Sequence, residues 1–258
     1  MSRPRFSVCI PTYEMHGRGV VYLNELFESL KEQSYGNYEV IVSDHSLDDS
    51  IQSLCSRWTA DLPLKYLRNS RNRGNSPSNI NHAIAGASGE YIKPLYQDDL
   101  FHSPSCLERI DETLLETHAS WGACGFVHLD GNGRSYFRYQ TPFYLENVIV
   151  AGNTIGAPSV VFFKNEPENE FDERLVWMHD AELYYRLRKK YGPPAIVEGT
   201  LVAIRQWSGQ VTNTLATRAL QKRDVRISLT KHGLWAAYLS RALRKVGRKA
   251  VQAFLKKH

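Results

Sequence analysis

The chain has 258 residues, of which 42% are hydrophobic and 23% charged, enough apolar material for one α/β unit or two closely packed subdomains and too much for a disordered chain. Its formal net charge of +5 conceals an asymmetry, because positions 216–258 carry 12 Lys or Arg against a single acid, Asp224, while the preceding part is net acidic. No run of about 18 apolar residues is present, so neither a membrane-spanning helix nor a signal peptide is expected.

The four cysteines are widely spaced and form no Cys-x-x-Cys pair. They lie in mostly apolar or strand-like surroundings, at Cys9, Cys55, Cys106 and Cys124. This usage is typical of reduced thiols in the core or at the surface, and we therefore expect a cytoplasmic protein.

Strands and helices alternate through the first hundred residues. Compact β-rich runs predict four strands, at 6–10, 38–43, 64–67 and after Gly89. Apolar residues at helical spacing and an acidic helix start predict three helices, over 20–33, from Asp48 onward and over 78–87. Because the links are short, this alternation predicts a parallel sheet built from right-handed βαβ units.

The second half continues with mixed elements. Ser103 as N-cap and Pro104 at the first position predict a helix that runs through Leu115. Asp130-Gly131-Asn132-Gly133 predicts a hairpin turn. Further strands are predicted at 123–129, 158–163, 195–197 and 201–204, with a helix that follows Trp177 and stops at Gly192. Positions 136–150 are aromatic and irregular, and no element is assigned there.

The residues Gly17-x-Gly19-x-x-Tyr22 after the first strand have the spacing of a dinucleotide-binding fingerprint. Tyr22 stands where close helix packing requires Gly or Ala, and six residues separate the strand from Gly17. A Rossmann dehydrogenase is therefore a poor interpretation of this stretch.

Two adjacent carboxylates, Asp98 and Asp99, follow the short apolar strand after Gly89. Open α/β sheets bind their ligands at the carboxyl ends of such strands. Two acids at the end of a buried strand are unfavourable unless a cation or hydroxyl groups meet them, which indicates a divalent metal or a sugar. The alternative is a solvated acidic turn that only ends the strand.

Six motifs in a fixed order make the sequence resemble the family-2 glycosyltransferases, inverting enzymes of the GT-A fold that use nucleotide sugars. They are Ser7-Val8-Cys9-Ile10-Pro11-Thr12-Tyr13, Asp44 with Asp48-Asp49-Ser50, Asn72-Arg73-Gly74, Gly89-Glu90-Tyr91-Ile92-Lys93, Gln97-Asp98-Asp99 and His179-Asp180-Ala181-Glu182-Leu183. The resemblance covers roughly positions 6–212. It implies an α/β, GT-A fold with a Rossmann-like, mostly parallel sheet flanked by helices.

The resemblance also implies a donor site at the carboxyl ends of the first strands. Asp44 would accept the imide hydrogen of uracil, which favours a UDP-sugar over dTDP or GDP sugars; as the alternative, it caps the helix after it. The other implied donor contacts are Pro11, Thr12, Tyr13, Arg71, Asn72, Asp98 and Arg205. Asp99 is implied as the ligand of Mn²⁺ or Mg²⁺, an ion that offsets charge on the departing diphosphate.

Asp180 matches the family's catalytic base. It would take a proton from the acceptor hydroxyl as that oxygen attacks the anomeric carbon and inverts it; the alternative is an ordinary acid favoured by the helix dipole. Two positions depart from the family's pattern. His179 replaces a commoner Glu and is the second candidate for the base, and Trp207 replaces the His of an Arg-x-His motif and cannot ligate a metal.

The sequence therefore predicts one GT-A domain, with 1–102 as the nucleotide-sugar half, 103–215 as the acceptor half and 216–258 as a basic helical tail. The predicted activity is transfer of a sugar to a hydroxyl of a glycan or lipid-linked acceptor in surface polysaccharide synthesis. The alternatives are a nucleotidyltransferase and a non-catalytic binding protein for sugar nucleotides or nucleic acid. Nucleic acid is not the expected partner of the enzyme, and the sequence leaves oligomerisation open.

Within the tail, apolar residues recur at three- and four-residue spacing from Trp235 to Leu255, with Lys and Arg between them. This spacing predicts a basic amphipathic helix over 233–257. We expect an anionic membrane surface as its partner, and hence peripheral attachment at the cytoplasmic face. Packing on the core or on a partner subunit is the alternative.

Overall fold

The computed structural model describes residues 3–210 and 217–244. Its strands are β1 (Phe6–Thr12), β2 (Tyr38–Asp44), β3 (Leu64–Arg68), β4 (Tyr91–Pro94), β5 (Leu100–Phe101), β6 (Trp121–Asp130), β7 (Tyr136–Gln140), β8 (Val161–Lys164) and β9 (Ala195–Gln206). Its helices are α1 (Gly19–Lys31), α2 (Ser50–Trp58), α3 (Ser76–Ala85), α4 (Cys106–Thr117), α5 (Val148–Ala151), α6 (His179–Tyr191), α7 (Arg218–His232) and α8 (235–244). Three single 3₁₀ turns occupy Met15–Gly17, Pro158–Val160 and Pro167–Asn169.

The strands form one sheet in the order β3-β2-β1-β4-β8-β6-β9-β5, with β7 paired to β6. The first four strands pair in parallel, as the alternation of elements predicts, and β1 is buried along its whole length between helical layers. Beyond β4 the sheet is mixed, because β6 and β9 pair in parallel while β8, β7 and β5 run antiparallel to their neighbours. The predicted α/β class is confirmed, and β4 joins β8 so that both predicted halves share one sheet.

Several element boundaries differ from the sequence-based expectations. The helix predicted to start after Ser103 begins at Cys106, and the Ser103 hydroxyl accepts from the Ser105 amide in the preceding turn. The strand predicted at 158–163 begins only at Val161, because Pro158 opens a 3₁₀ turn. The two late strands are one strand, β9, in which Gly199 adopts a left-handed φ of 87° where the register with β6 shifts.

The hydrophobic core is continuous across both halves and leaves no room for separate domain cores. Trp121, at the start of β6, is fully buried and stacks on Tyr184 of α6 with ring centroids 6.4 Å apart. All four cysteines are free and buried, as expected for reduced core thiols. This core holds the strand ends in fixed positions, and the loops that follow them form the cleft described below.

The basic tail is helical where the structure describes it, and it forms two helices. α7 ends at Gly233, whose φ of 65° lets the chain reverse before α8. α7 packs on the body through the buried Leu229, whereas α8 exposes much of its apolar surface. The part of the predicted amphipathic helix from position 245 onward lies outside the described residues. Among the described helices, none has the length and apolar character needed to cross a bilayer.

Candidate active site

A cleft of about 760 Å³ opens at the carboxyl ends of β1 and β4 and extends along β6 towards the start of α6. Five of the residues implied by the resemblance line it: Pro11, Tyr13, Asp98, Asp99 and Asp180. The acidic pair comes from the loop after β4, and Asp180 comes from the first turn of α6. The structure thus brings residues 81 or more positions apart to one cavity.

Asp99 is nearly fully buried, and fixed hydrogen bonds hold both carboxylate oxygens. Its Oδ2 accepts from the Ser159 hydroxyl at 2.5 Å, and its Oδ1 accepts from the Arg205 amide at 3.0 Å. Burial, together with the negative charge of Asp98, holds the pKa of Asp99 well above its usual range. Burial also raises the pKa of Asp98, whose Oδ2 accepts from the Trp207 indole at 2.8 Å. The positive charge near the pair is therefore too small to keep both carboxyls ionised over their ordinary pH range.

Asp180 stands half-buried at the N-terminal end of α6, where the free backbone amides favour a negative charge. Its Oδ1 accepts from the Ala181 amide at 2.6 Å, and its Oδ2 accepts from the Asn153 side chain at 2.7 Å. Burial raises the pKa of its carboxyl above the ordinary value. A raised pKa and a fixed orientation toward the cleft are properties of a general base.

His179 also lines the cleft beside Asp180, but hydrogen bonds and packing fix its ring. Nδ1 lies 3.0 Å from the Val176 carbonyl, which requires a proton on Nδ1, and the ring packs edge-on against Phe171. Nε2 lies 3.5 Å from the Tyr96 hydroxyl. A proton on Nδ1 leaves the lone pair on Nε2, so His179 stays the second candidate for the base.

Gln97 lies in the loop after β4 and joins it to the loop after β1. Its side-chain oxygen accepts from the Tyr13 amide at 2.9 Å, and its nitrogen donates to the carbonyls of Tyr13 and Gly19. The loop after β1 is thereby held against the acidic loop. Thr12, also implied as a donor contact, is fully buried and points at β2, where its hydroxyl lies 3.3 Å from the Ser43 carbonyl.

Comparison with known protein families gives a match to the model of "Glycosyl transferase family 2" over residues 7–189, more than two thirds of the chain. The chain belongs to glycosyl transferase family 2. This membership decides between the enzyme classes left open by the sequence, in favour of a glycosyltransferase over a nucleotidyltransferase or a non-catalytic binding protein.

Relatives of this glycosyltransferase include an uncharacterized glycosyltransferase of Rickettsia typhi, 26% identical over 256 residues, which span 92% of this chain and 72% of the relative. A GalNAc(5)-diNAcBac-PP-undecaprenol beta-1,3-glucosyltransferase of Campylobacter jejuni is 30% identical over 130 residues, 50% of this chain and 38% of that protein. The second match covers half of this chain.

Solved structures of similar shape include S. aureus TarS 1-349 in complex with UDP-GlcNAc, with a TM-score of 0.68 and 19% identity over 87% of this chain and 66% of that one. A mannosyltransferase of Pyrobaculum calidifontis in complex with GDP-Man and Mn²⁺ has a TM-score of 0.56 and 19% identity over 95% of this chain and 65% of that one. At this identity both comparisons support the GT-A fold alone.

Asp44, the predicted contact for uracil in this family-2 glycosyltransferase, does not line the cleft. It is fully buried at the end of β2, and its carboxylate accepts from the Tyr66 hydroxyl at 2.7 Å and the Ser46 amide at 2.8 Å. Arg68 lies 3.6 Å away. Asp44 therefore organises the loop after β2, and its direct contact with a base stays a prediction.

Arg71 and Asn72 lie outside the cleft lining. The Asn72 side chain donates to Glu173 at 3.1 Å on the exposed side of the loop. Arg73 lines the cleft instead, with its guanidinium donating to the Ser46 carbonyl at 2.9 Å. The donor contacts of Arg71 and Asn72 stay predictions, and Arg73 is the basic residue of this motif that faces the cavity.

Arg205 is fully buried, so its side chain is not presented to the cleft. It pairs with Glu25, donates to the Asp98 carbonyl at 3.0 Å and covers the Tyr22 ring. The predicted contact with a diphosphate would require these interactions to break. Trp207, the departure from the family's Arg-x-His, fills the adjoining space and donates to Asp98, so that the end of β9 supports the acidic pair from behind.

Sequence reasoning missed several residues of the cleft in this family-2 enzyme: His45, Arg73, His128, Gln140 and Asn153. His45 directly follows Asp44 at a strand end, and this position was a usable signal. Gln140 and Asn153 were not accessible in the same way, because β7 and the loop around Asn153 fall in a stretch without a clear period. Arg73 and His128 lie in a motif and a strand that the sequence analysis identified, but no role was assigned to either.

Proposed function

We propose that the protein is an inverting glycosyltransferase that moves a sugar from a nucleotide-sugar donor, a UDP-sugar, to a hydroxyl of a glycan or lipid-linked acceptor. The observation that carries the proposal is the meeting of Asp98 and Asp99 with Asp180 in one cleft. Related folds are known in complex with UDP and UDP-GlcNAc, and a relative that matches half of this chain is named for an undecaprenol-linked acceptor. These likenesses support the donor class and a role in surface polysaccharide synthesis.

The acidic pair has the donor chemistry of a Mg²⁺ or Mn²⁺ site. Both carboxyls have raised pKa values because they are buried together, and the nearby guanidinium of Arg205 is already paired with Glu25. Within the described residues no cluster of three or more metal-ligating side chains occurs, which suits an ion that takes one or two carboxylates and completes its shell with diphosphate oxygens and water. Asp99, supported by Asp98, would hold it. When bound, the ion offsets negative charge on the leaving diphosphate.

The reaction then depends on the chain's own groups around the acceptor hydroxyl. Asp180 accepts the hydroxyl proton while the hydroxyl oxygen forms its bond to the anomeric carbon, and the bond from that carbon to the nucleoside diphosphate breaks. Asn153 and the Ala181 amide keep the carboxylate oriented during this step. Trp177, about one third exposed at the cleft, offers an apolar face to a sugar ring.

The test is turnover of a panel of UDP-sugars with Mn²⁺, read as release of UDP with and without polyprenol-linked acceptors. We expect Asp180→Asn to lower turnover about a hundredfold or more and to leave the calorimetric affinity for UDP with Mn²⁺ unchanged. Asp61→Asn is the matched control, since Asp61 is an exposed carboxylate after the end of α2 that pairs with Lys31 and does not line the cleft. Activity of Asp180→Asn within a few fold of wild type would remove Asp180 from the role of base.

We also propose that the tail holds the enzyme at an anionic membrane surface on the cytoplasmic side. α8 exposes Leu239 and Leu243, which are 56% and 73% exposed, next to Arg241 and Arg244. Arg241 donates to the Ala151 carbonyl at 2.9 Å, which fixes α8 beside the acceptor half. An apolar stripe with flanking cations matches a headgroup boundary, where each Lys or Arg contributes about 1 kcal/mol of attraction.

Co-sedimentation with vesicles of phosphatidylglycerol, against phosphatidylcholine alone, tests the attachment. The truncated chain ends at Gly233. It lacks α8 but keeps the contacts of Lys231 and His232 with Glu182. We expect the full chain to bind anionic vesicles at low salt and the truncated chain to remain in solution. Equal binding of both chains, or none by either, would contradict the proposal.

A further inference from the structure

Asp224, the single acid among positions 216–258, is fully buried in the middle of the basic helix α7. A buried carboxylate is unfavourable unless it receives hydrogen bonds. Its Oδ2 accepts from three consecutive backbone amides in the turn before α6: Val176 at 2.8 Å, Trp177 at 2.7 Å and Met178 at 3.4 Å. These amides lie 46 to 48 positions away in the sequence.

The three amides belong to the short turn that delivers Trp177 and Asp180 to the cleft. These amides precede His179, the first residue of α6, so they are not amides of its first turn, where the Ala181 amide donates to Asp180 itself. Backbone amides that are taken out of water need an acceptor wherever they lie. Asp224 supplies that acceptor from a different helix.

The remaining contacts of α7 hold Asp224 in place. Lys231, two turns further on, pairs with Asp172 at 2.7 Å and with Glu182 at 2.8 Å, and Glu182 lies on α6 one residue beyond Ala181. At the other side, Arg223 donates to the Arg174 carbonyl at 2.9 Å. α7 therefore contacts both the turn before α6 and α6 itself. It lies outside residues 7–189, the range that matches the family model.

We propose that Asp224 is a positioning residue for the transfer reaction: it fixes the Val176 to Met178 turn so that Asp180 meets the acceptor hydroxyl. The tail helix α7 thereby completes the active site instead of serving only as an attachment. The proposal rests on the proposed function of Asp180 as the base. It assigns no contact between Asp224 and the substrate.

The first experiment replaces Asp224 in the full chain and measures UDP release from the UDP-sugar that the wild type turns over fastest. A displacement of a reacting group by about 1 Å lowers a rate by about a hundredfold, so we expect a loss of kcat of that order in Asp224→Ala, with the donor KM and the UDP affinity unchanged within about twofold. Asp224→Glu, which keeps the charge on a longer arm, is expected to recover part of the loss. Ser228→Ala is the matched control, since Ser228 is equally buried one turn along α7 and its hydroxyl has no partner among the described residues.

A second measurement needs no turnover. Hydrogen–deuterium exchange of the peptide containing Val176, Trp177 and Met178 should accelerate in Asp224→Ala and in Asp224→Asn, while peptides around Asp99 keep the wild-type rate. Asp224→Asn conserves the shape of the side chain and serves if the Ala variant does not fold. Wild-type protection of these amides in a folded Asp224 variant would overturn the proposal.

A double variant distinguishes the positioning role of Asp224 from the role of Asp180 as the general base. If Asp224 acts through Asp180, Asp224→Ala has no further effect on the residual turnover of Asp180→Asn. An equal additional loss in that background would overturn the positioning role, and so would a wild-type kcat in Asp224→Ala when Asp180→Asn is inactive. Full activity of Asp180→Asn would instead refute the assignment of the base, whatever the Asp224 variants do.

Discussion

The hydrogen bond from Asn153 to Asp180 lets us predict how the pH dependence of kcat changes when Asn153 is replaced. The Asn153 nitrogen donates to Oδ2 of Asp180 at 2.7 Å, which stabilises the charged carboxylate and lowers its pKa relative to an Asp180 without this donor. Asn153→Ala removes the donor, so the pKa rises further above the ordinary value, in the direction that burial already sets. A base works only when it is deprotonated, and the acid limb of the kcat profile must therefore move to higher pH.

The size of the shift follows from the type of bond. A hydrogen bond to a charged group contributes about 1.5 to 3 kcal/mol, and this one is solvent-exposed, so the lower limit of about 1.5 kcal/mol applies. Since 1.36 kcal/mol corresponds to one pH unit, the limb is expected to rise by about 1 unit in Asn153→Ala. The assay is UDP release at saturating donor from pH 4 to 9, with circular dichroism to exclude acid unfolding.

A second variant excludes a trivial cause. The Asn153 oxygen also accepts from the amides of Ile155 and Gly156, so an Ala variant loosens this turn as well. Asn153→Asp keeps that acceptor but places a negative charge beside Asp180, and it should move the limb at least as far upward as Asn153→Ala does. A wild-type limb in Asn153→Asp, or no shift in either variant, would refute the electrostatic role assigned to Asn153.

Two further predictions concern the acidic pair and the sheet. Asp99→Asn is expected to abolish the Mn²⁺-dependent part of UDP affinity in calorimetry while a metal-independent part remains, because the amide cannot offset the ion's charge; unchanged Mn²⁺ dependence would contradict the assignment of Asp99. Gly125→Ala would place a Cβ 2.2 Å from the Gly199 carbonyl oxygen across the β6–β9 bulge and should destabilise the fold by about 2 kcal/mol or more, seen as a drop of about 5 °C or more in Tm. Gly36→Ala, where nothing lies within 4 Å, is its control and should melt like the wild type.

Much of the donor half was predictable from the sequence because its signals are local. The period of apolar residues located β1 to β4 and the helices between them, and chain polarity then placed every strand end at one edge of a parallel sheet. For this reason Pro11, Tyr13, Asp98 and Asp99 line one cleft, while their contacts with a donor and a metal stay predictions. The family motifs extended this to Asp180, which periodicity alone could not have distinguished from any acid at a helix start.

The acceptor half and the support of the site depended on tertiary structure. The antiparallel entry of β8 between β4 and β6, and the burial of Arg205 against Glu25, arise from pairings between residues far apart, which no local period encodes. The same holds for Asp224: in the sequence it is an isolated acid in a basic tail, and only the fold shows that three amides of the turn before α6 donate to one of its carboxylate oxygens. A buried polar group is stabilised by the partners that the whole chain brings to it, so its role is determined only when the chain has folded.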